Sequence, residues 1–331
     1  MGRGVNVDDI FFGGDNGDPY GTITSPDTVL TTVINNLKSS AWGTPNFIRV
    51  SLSMNSYTMT QNAVIWQQNT TNYATLMTRV ITSIPSNLPD VYVLVTLRSD
   101  ASMIDECTKG VNNCTNPEAT GVPSSRANTP DSINFPDGTD DTYKALVDSF
   151  GMYNWVMFGL SNEPGGADFN ANPSELAGYM SHAVSTIRSE ETLRGYPYHL
   201  IVVQGTNWTA NLQYYATSPI TSLNDIVYEY HEYPPTTVSP LSYIYSNIPV
   251  IIGEYGPNPG PPEGATDPAD WSGFYTNVEN NYISNAAWDF EPYGNQPQVP
   301  DLLVNTNTDT NLTLSSWGTT VQAYLAAHPG H

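Results

Sequence analysis

Positive charge is scarce in this chain. Ten Lys and Arg stand against 32 Asp and Glu among 331 residues, a formal charge of −22. A surface that acidic repels phosphate backbones and anionic headgroups, which argues against nucleic-acid and membrane-surface partners. It also disfavours polyuronic substrates and leaves neutral ones open. Cysteine is almost absent. Cys107 and Cys114, with no His close by, are too few for a zinc site. They read as one local disulfide clipping a loop, worth about 2–3 kcal/mol on the chain-entropy model, which points to a secreted, extracellular protein; two free thiols in a cytosolic enzyme are the alternative. No hydrophobic run reaches the ~18 residues that span a bilayer. The opening MGRGVNV reads as structure, so a mature domain with an initiator Met is expected. A Ser/Pro linker, an internal repeat and a shift in composition are all lacking, so one domain over residues 1–331 is expected.

Aromatic side chains are plentiful, at 11% with 21 Tyr, and flat amphipathic rings suit stacking against sugars. The organising pattern is strand then helix, repeated. Short β-branched runs at Gly4–Val7, Phe47–Leu52, Val91–Leu97, Trp155–Leu160, Leu200–Gln204, Ile226–Tyr230, Pro249–Gly253 and Asn285–Phe290 read as strands. Helical spacing predicts helices over Pro26–Leu37, Tyr73–Ile84, Thr142–Phe150, Pro173–Arg188, Ala269–Asn280 and Ser315–Ala327. Eight strands alternating with helices predict a parallel sheet closed on itself: an α/β protein, a single (β/α)8 TIM barrel. A doubly wound sheet would require a Gly-rich phosphate turn after the first strand, and GGDNGDPYG does not supply one. The longest irregular stretch, Arg98 to Gly138, carries the cysteine pair and follows strand three.

Barrel chemistry sits at the C-terminal ends of the strands. Two acids stand there behind apolar runs: Glu163 in WVMFGLSNEPGG after strand four, and Glu254 in IPVIIGEYGP at the end of strand seven. Those strands face each other across the barrel mouth. Two carboxylates on one cleft are what glycoside hydrolysis requires, one to protonate the departing oxygen and one to attack or to activate water. Each could instead cap a loop, a reading that weakens when two occur together.

These motifs resemble glycoside hydrolase family 5 and its clan of barrel glycosidases. Asn162-Glu163-Pro164 is similar to the family's acid/base motif, whose Asn bonds the sugar 2-hydroxyl. Ile-Gly-Glu254-Tyr-Gly is similar to its nucleophile motif. His231 and Tyr233 in YEYHEY resemble the His-x-Tyr after strand six. Arg49 in FIRVSLS stands where the family keeps an Arg near the nucleophile, and Trp288 in AAWDFEP resembles the tryptophan of the sugar-binding floor. The resemblance implies a retaining mechanism with Glu163 as acid/base and Glu254 as nucleophile. After strand three the family places a His, and here VLVTLRSD puts Arg98 in that place. Trp208 in QGTNWTAN is a further candidate sugar platform.

Independent chemistry fits these roles. Arg49 is expected to hold Glu254 ionised, Tyr233 to orient it, and Glu163 to be raised by the neighbouring charge. Each residue also has a plainer reading: a surface pair for Arg49, a core His231, packing for Tyr233, barrel filling for Trp288. Trp155, Trp271 and Trp317 read as core. The acidic turns at 15–18 and 137–141 do not match calcium-loop spacing, and the mechanism needs no metal or cofactor. The expected substrate is a neutral β-1,4-linked polysaccharide or oligosaccharide, cellulose-like glucan first, cleaved within the chain by a monomer. A β-mannanase, xylanase, xyloglucanase or exo-acting β-glucosidase remains open, as do a catalytically silent carbohydrate-binding barrel and a phosphate-handling barrel enzyme.

Overall fold

A computed structural model describes residues 1–7, 33, 35–38, 42, 45–53, 81, 82, 84, 90–98, 141–164, 167–221, 224–233, 247–257, 271–290, 301–304 and 312–329. Eight parallel strands close in sequence order: β1 (Arg3–Val7), β2 (Phe47–Ser53), β3 (Tyr92–Arg98), β4 (Val156–Gly159), β5 (Ile201–Gln204), β6 (Ile226–Glu232), β7 (Val250–Tyr255) and β8 (Asn285–Ala287), which pairs with β1. The predicted barrel is the observed one. Strands buried on both faces favour apolar residues at consecutive positions, which is why VLV in β3 and VII in β7 show no alternation.

Outside the barrel run α1 (Asp141–Phe150), α2 (Ala167–Ala171), α3 (Pro173–Arg194), α4 (Gln213–Thr217), α5 (Ser272–Asn280) and α6 (Ser316–Ala327). The helix predicted to end at Arg188 continues to Arg194. Arg188 is buried, donating to Glu191 and to the carbonyls of His199 and Asn224. The stop is Gly195, whose φ of 70° closes the helix and lets its N–H reach the carbonyls of Glu191 and Thr192. The helix read from Ala269 starts at Ser272, and α4 after β5 is one short turn. Helical residues at 33, 35–38, 81, 82 and 84 fall within or just past the first two predicted helices. Most of those helices, the loop from 99 to 138 with Cys107 and Cys114, the acidic turn at 15–18 and most of the one at 137–141 lie outside the described residues. Trp271 and Trp317 are core, and Trp155 packs partly buried against it.

The core has two parts. The larger lies between strands and helices. A smaller one plugs the barrel with Phe47, Leu94, Met157, Val202, Val227, Ile251 and Ala286, one inward residue from each of β2 to β8. The first strand gives no side chain at this level. Gly4 stands there, and a Cβ on it would meet the carbonyl oxygen of Phe47 at 1.4 Å.

Candidate active site

Successive side chains alternate between the two faces of a strand, so the next inward positions follow two residues beyond the plug. They are Asn6, Arg49, Thr96, Gly159, Gln204, Glu229, Gly253 and Trp288. Barrel interiors are usually filled by branched apolar side chains. Here Asn6, Arg49, Thr96, Gln204 and Glu229 are all buried to within 1% of complete. Polar groups at that depth need partners, and Asn6, Arg49, Gln204 and Glu229 supply them to one another, whereas the Thr96 hydroxyl has none among the described residues.

Strict alternation would turn Glu254 outward. The seventh strand avoids this with a bulge: Tyr230 pairs with Ile252 but His231 with Glu254, and on the other side Ile252 and Tyr255 are the successive partners of β8. Gly253 and Glu254 therefore both face the barrel, while Tyr255 faces the helices and packs on Trp271 and Phe274. The displaced carbonyl of Gly253 is held by the Asn6 amide at 2.9 Å.

Arg49 joins the layer together. Its Nε donates to Glu229 Oε1 at 2.7 Å, one terminal nitrogen to Asn6 Oδ1 at 2.9 Å and Glu254 Oε1 at 2.8 Å, and the other to Asn162 Oδ1 at 2.6 Å. A surface pairing is excluded, since the guanidinium is fully buried. Glu229 also accepts from Gln204 Nε2 at 2.6 Å. Gln204 in turn takes the backbone N–H of Glu163 at 2.5 Å and the Thr209 hydroxyl at 2.9 Å on its amide oxygen. This contact holds Glu163 at a φ of 50°, a left-handed value uncommon outside glycine. Asn207, Trp208 and Thr209 are left-handed as well. Their turn is tied by paired bonds between Thr206 and Asn211 and by the Thr209 carbonyl accepting from His231 N.

Above this layer the ionisable groups converge. His231 Nδ1 lies 2.8 Å from Glu163 Oε1 and 3.3 Å from Glu254 Oε2, and its Nε2 lies 3.2 Å from Glu229 Oε1. Ionised carboxylates only accept, so a ring facing them on both sides is an imidazolium donating from both nitrogens. Tyr233 donates to Glu254 Oε2 at 2.8 Å. Glu163, His231 and Glu254 each bring a ligand atom to within 4.8 Å of the others.

Burial alone would push Glu229 up, but Arg49, His231 and Gln204 override it and hold its carboxyl at about 2. Burial would depress His231, yet the surrounding carboxylates raise it to about 9. Glu254 departs from expectation. Arg49 and His231 do pull its carboxyl down, but burial outweighs them and it stands raised, at about 7. Among the described residues, Arg49 and His231 are thus two cations facing the three carboxyls of Glu163, Glu229 and Glu254. This set of charges is neutral when one of its three carboxyls carries a proton.

Six of the predicted site residues therefore meet: Arg49, Asn162, Glu163, His231, Tyr233 and Glu254. Trp288 stands half-buried at the rim beyond β8. Trp208 is 58% exposed on the turn after β5. Arg98 ends β3, and its side chain lies outside the described residues. Sequence reasoning missed Asn6, Gln204, Glu229, Gly253 and Thr209. The available signal was a polar residue inside an otherwise apolar strand, as in RGVNV and IVVQ.

Comparison with known proteins gives the family and agrees with the closed barrel. Residues 27–294 match the family model for cellulase, glycosyl hydrolase family 5. No curated protein matches the sequence. Among solved structures, the catalytic domain of Thermobifida fusca endoglucanase Cel5A is similar at a TM-score of 0.65 and 14% identity, covering 98% of this chain and 91% of that one. An endocellulase from Pyrococcus horikoshii, in complex with cellotetraose, is similar at 0.64 and 16%, covering 98% and 93%. A family 5 cellulase from an Icelandic hot spring isolate gives 0.65 and 16%, covering 99% and 89%.

Proposed function

Because the chain belongs to glycosyl hydrolase family 5, and is thereby a glycoside hydrolase, we propose that it cleaves internal β-1,4 bonds of a cellulose-like glucan with retention of configuration. The observation that carries this reading is the Glu163–Glu254 pair, whose oxygens approach within 4.8 Å across one cleft. Inverting enzymes hold their carboxyls roughly 6.5–9.5 Å apart to admit a water, and retaining enzymes hold them about 5–5.5 Å apart. The short spacing favours direct attack.

In this mechanism Glu163, the more exposed of the two, protonates the leaving oxygen while Glu254 attacks the anomeric carbon. Arg49 and Tyr233 hold one carboxylate oxygen each on Glu254 and aim it. As the glycosyl–enzyme ester forms, Glu254 loses its negative charge and Glu163 becomes a carboxylate. The imidazolium of His231, which bonds Glu163 and lies near Glu254, compensates whichever carboxyl is charged. Glu163 then removes a proton from water, and the second displacement restores the β configuration. Asn162, oriented by Arg49, is placed to bond the 2-hydroxyl as positive charge develops on the sugar.

Endo action and glucan preference rest on the kinship with proteins described as endoglucanase and endocellulase, one of them holding cellotetraose. Trp288 and Trp208 serve as platforms for sugar faces, and Arg98 contributes donors at the cleft. The acidic composition and the cysteine pair support work outside the cell with a Cys107–Cys114 disulfide. Product analysis on β-glucans, mannan, xylan and xyloglucan tests the proposal. Mixed cello-oligosaccharides from cellulosic substrates, lost in Glu254→Gln, are expected. Monosaccharide as the sole early product, or a preference for mannan or xylan, would refute the endoglucanase assignment.

A further inference from the structure

We propose that Glu229 is the positioning residue that sets the geometry and the shared proton of Glu163 and Glu254, an assignment that rests on the glycosidase reading above. Glu229 lies one layer beneath the cleft with no exposed surface, so it does not touch substrate. From its carboxylate three arms rise. The first runs through Arg49 to Glu254 and Asn162. The second runs through His231 Nε2 to the ring's other nitrogen and so to Glu163. The third runs through Gln204 to the backbone N–H of Glu163, the contact that keeps this residue left-handed. Gly253 completes the case. It directly precedes Glu254, and a Cβ on it would lie 1.6 Å from Glu229 Oε1, so the nucleophile strand gives up a side chain to make room for this carboxylate.

A plain counterion for Arg49 does not require Glu229, because Glu254 already fills that role at 2.8 Å. Burying another carboxylate is costly unless its charge is used. Its use is in the count. Among the described residues, the ionisable groups around Glu229 are Arg49 from β2, His231 and Tyr233 from β6 and its end, Glu254 from β7 and Glu163 beyond β4; Asn6, Gln204 and the Gly253 backbone are neutral. With Glu229 present, neutrality requires one proton on the Glu163–Glu254 pair. Without its charge, Arg49 and His231 are balanced by two bare carboxylates, and the pair releases its proton at lower pH.

The test uses full-length Glu229→Gln and Glu229→Asp. Profiles of kcat and kcat/KM against pH are recorded on a cello-oligosaccharide and on a β-cellobioside with a dinitrophenolate leaving group, with melting curves alongside. For Glu229→Gln the alkaline limb is expected to move acidic by about one pH unit. Its kcat on the unactivated substrate should fall about 100-fold, with a far smaller loss on the dinitrophenyl substrate, which needs little protonation. Glu229→Asp keeps the charge on a shorter stem, so its limb should stay at the wild-type position while kcat falls with KM little changed. An unmoved limb in Glu229→Gln, or equal losses on the two substrates, would overturn the proposal. Should Glu229→Gln fail to fold, Glu229→Asp decides alone: wild-type kcat, or a displaced limb, refutes it. A wild-type protein inactive on every β-glycoside would instead sink the glycosidase reading itself.

Discussion

Gly253→Ala should be among the most damaging single-methyl additions available in this barrel. The backbone there is not left-handed, so the obstacle is space. The new Cβ would lie 1.6 Å from Glu229 Oε1, 2.4 Å from its Cδ and 2.7 Å from its Cγ. Ordinary contact requires about 3.5 Å, so the carboxylate must withdraw by nearly 2 Å. A free glutamate tip would swing aside at little cost. This one is bonded to Arg49 at 2.7 Å, Gln204 at 2.6 Å and His231 at 3.2 Å, and such a movement breaks most of that set. The strand cannot yield instead, because the Asn6 amide holds the Gly253 carbonyl at 2.9 Å.

Disrupting a buried ion pair costs about 3–5 kcal/mol, a large share of a typical domain's stability of roughly 5–15 kcal/mol. Urea unfolding of Gly253→Ala should show a loss of that size together with near-complete loss of activity. The clash has a specific partner, so it should vanish when the partner is shortened. Gly253→Ala in a Glu229→Ala background should cost little further, giving a coupling of about 2 kcal/mol or more in the double-mutant cycle. A single variant within about 1 kcal/mol of wild type and active, or additive losses in the cycle, would show that Glu229 does not occupy this space.

Stability should be greatest in mild acid. Glu229, at about 2 in the fold, contributes fully above its ordinary 4.5 and loses that contribution as pH falls through about 2. His231, raised to about 9, contributes fully below 6.5 and loses it as pH rises through 9, while Glu254, raised to about 7, favours the fold below 4.5 and loses this through 7. Melting temperature against pH should therefore decline from near pH 5 toward pH 9, and a maximum at pH 8 or above would contradict these assignments. Arg49→Lys removes the fork that spans four acceptors, so kcat should fall at least about 100-fold despite the retained charge; near-wild-type turnover would mean that the charge alone suffices. Trp208 is 58% exposed, so Trp208→Ala should leave the melting temperature unchanged and raise KM several-fold on long oligosaccharides only. An equal effect on short and long substrates would remove Trp208 from the cleft.

The barrel was legible because each buried parallel strand leaves an apolar run that alternation does not interrupt. Glu163 and Glu254 were legible for the same reason: each is an acid placed directly after such a run. Glu229 was not. Within YEYHEY it lies among tyrosines and beside Glu232, a pattern that a half-exposed strand would also show. Nothing in the local sequence distinguishes a carboxylate aimed into the barrel from one aimed at solvent. The bulge was equally hidden, because period-two reading of VIIGEY turns Gly253 and Tyr255 inward and Glu254 outward. It takes the register against β6 and β8 to reveal that two consecutive residues share a face. Burial raises the Glu254 carboxyl against the pull of His231 and Arg49, and that depth of burial is supplied only by the closed barrel.

Direct attack of Glu254 on the sugar is reported most plainly by the anomeric configuration of the first product. Proton NMR spectra collected within the first minutes of hydrolysis of a β-linked cello-oligosaccharide, before mutarotation, separate the α and β hemiacetal signals. Two displacements predict that the β anomer appears first and that the α anomer grows in only at the rate of spontaneous mutarotation. Initial release of the α anomer would mean a single displacement by water, and the nucleophilic role of Glu254 would fall with it.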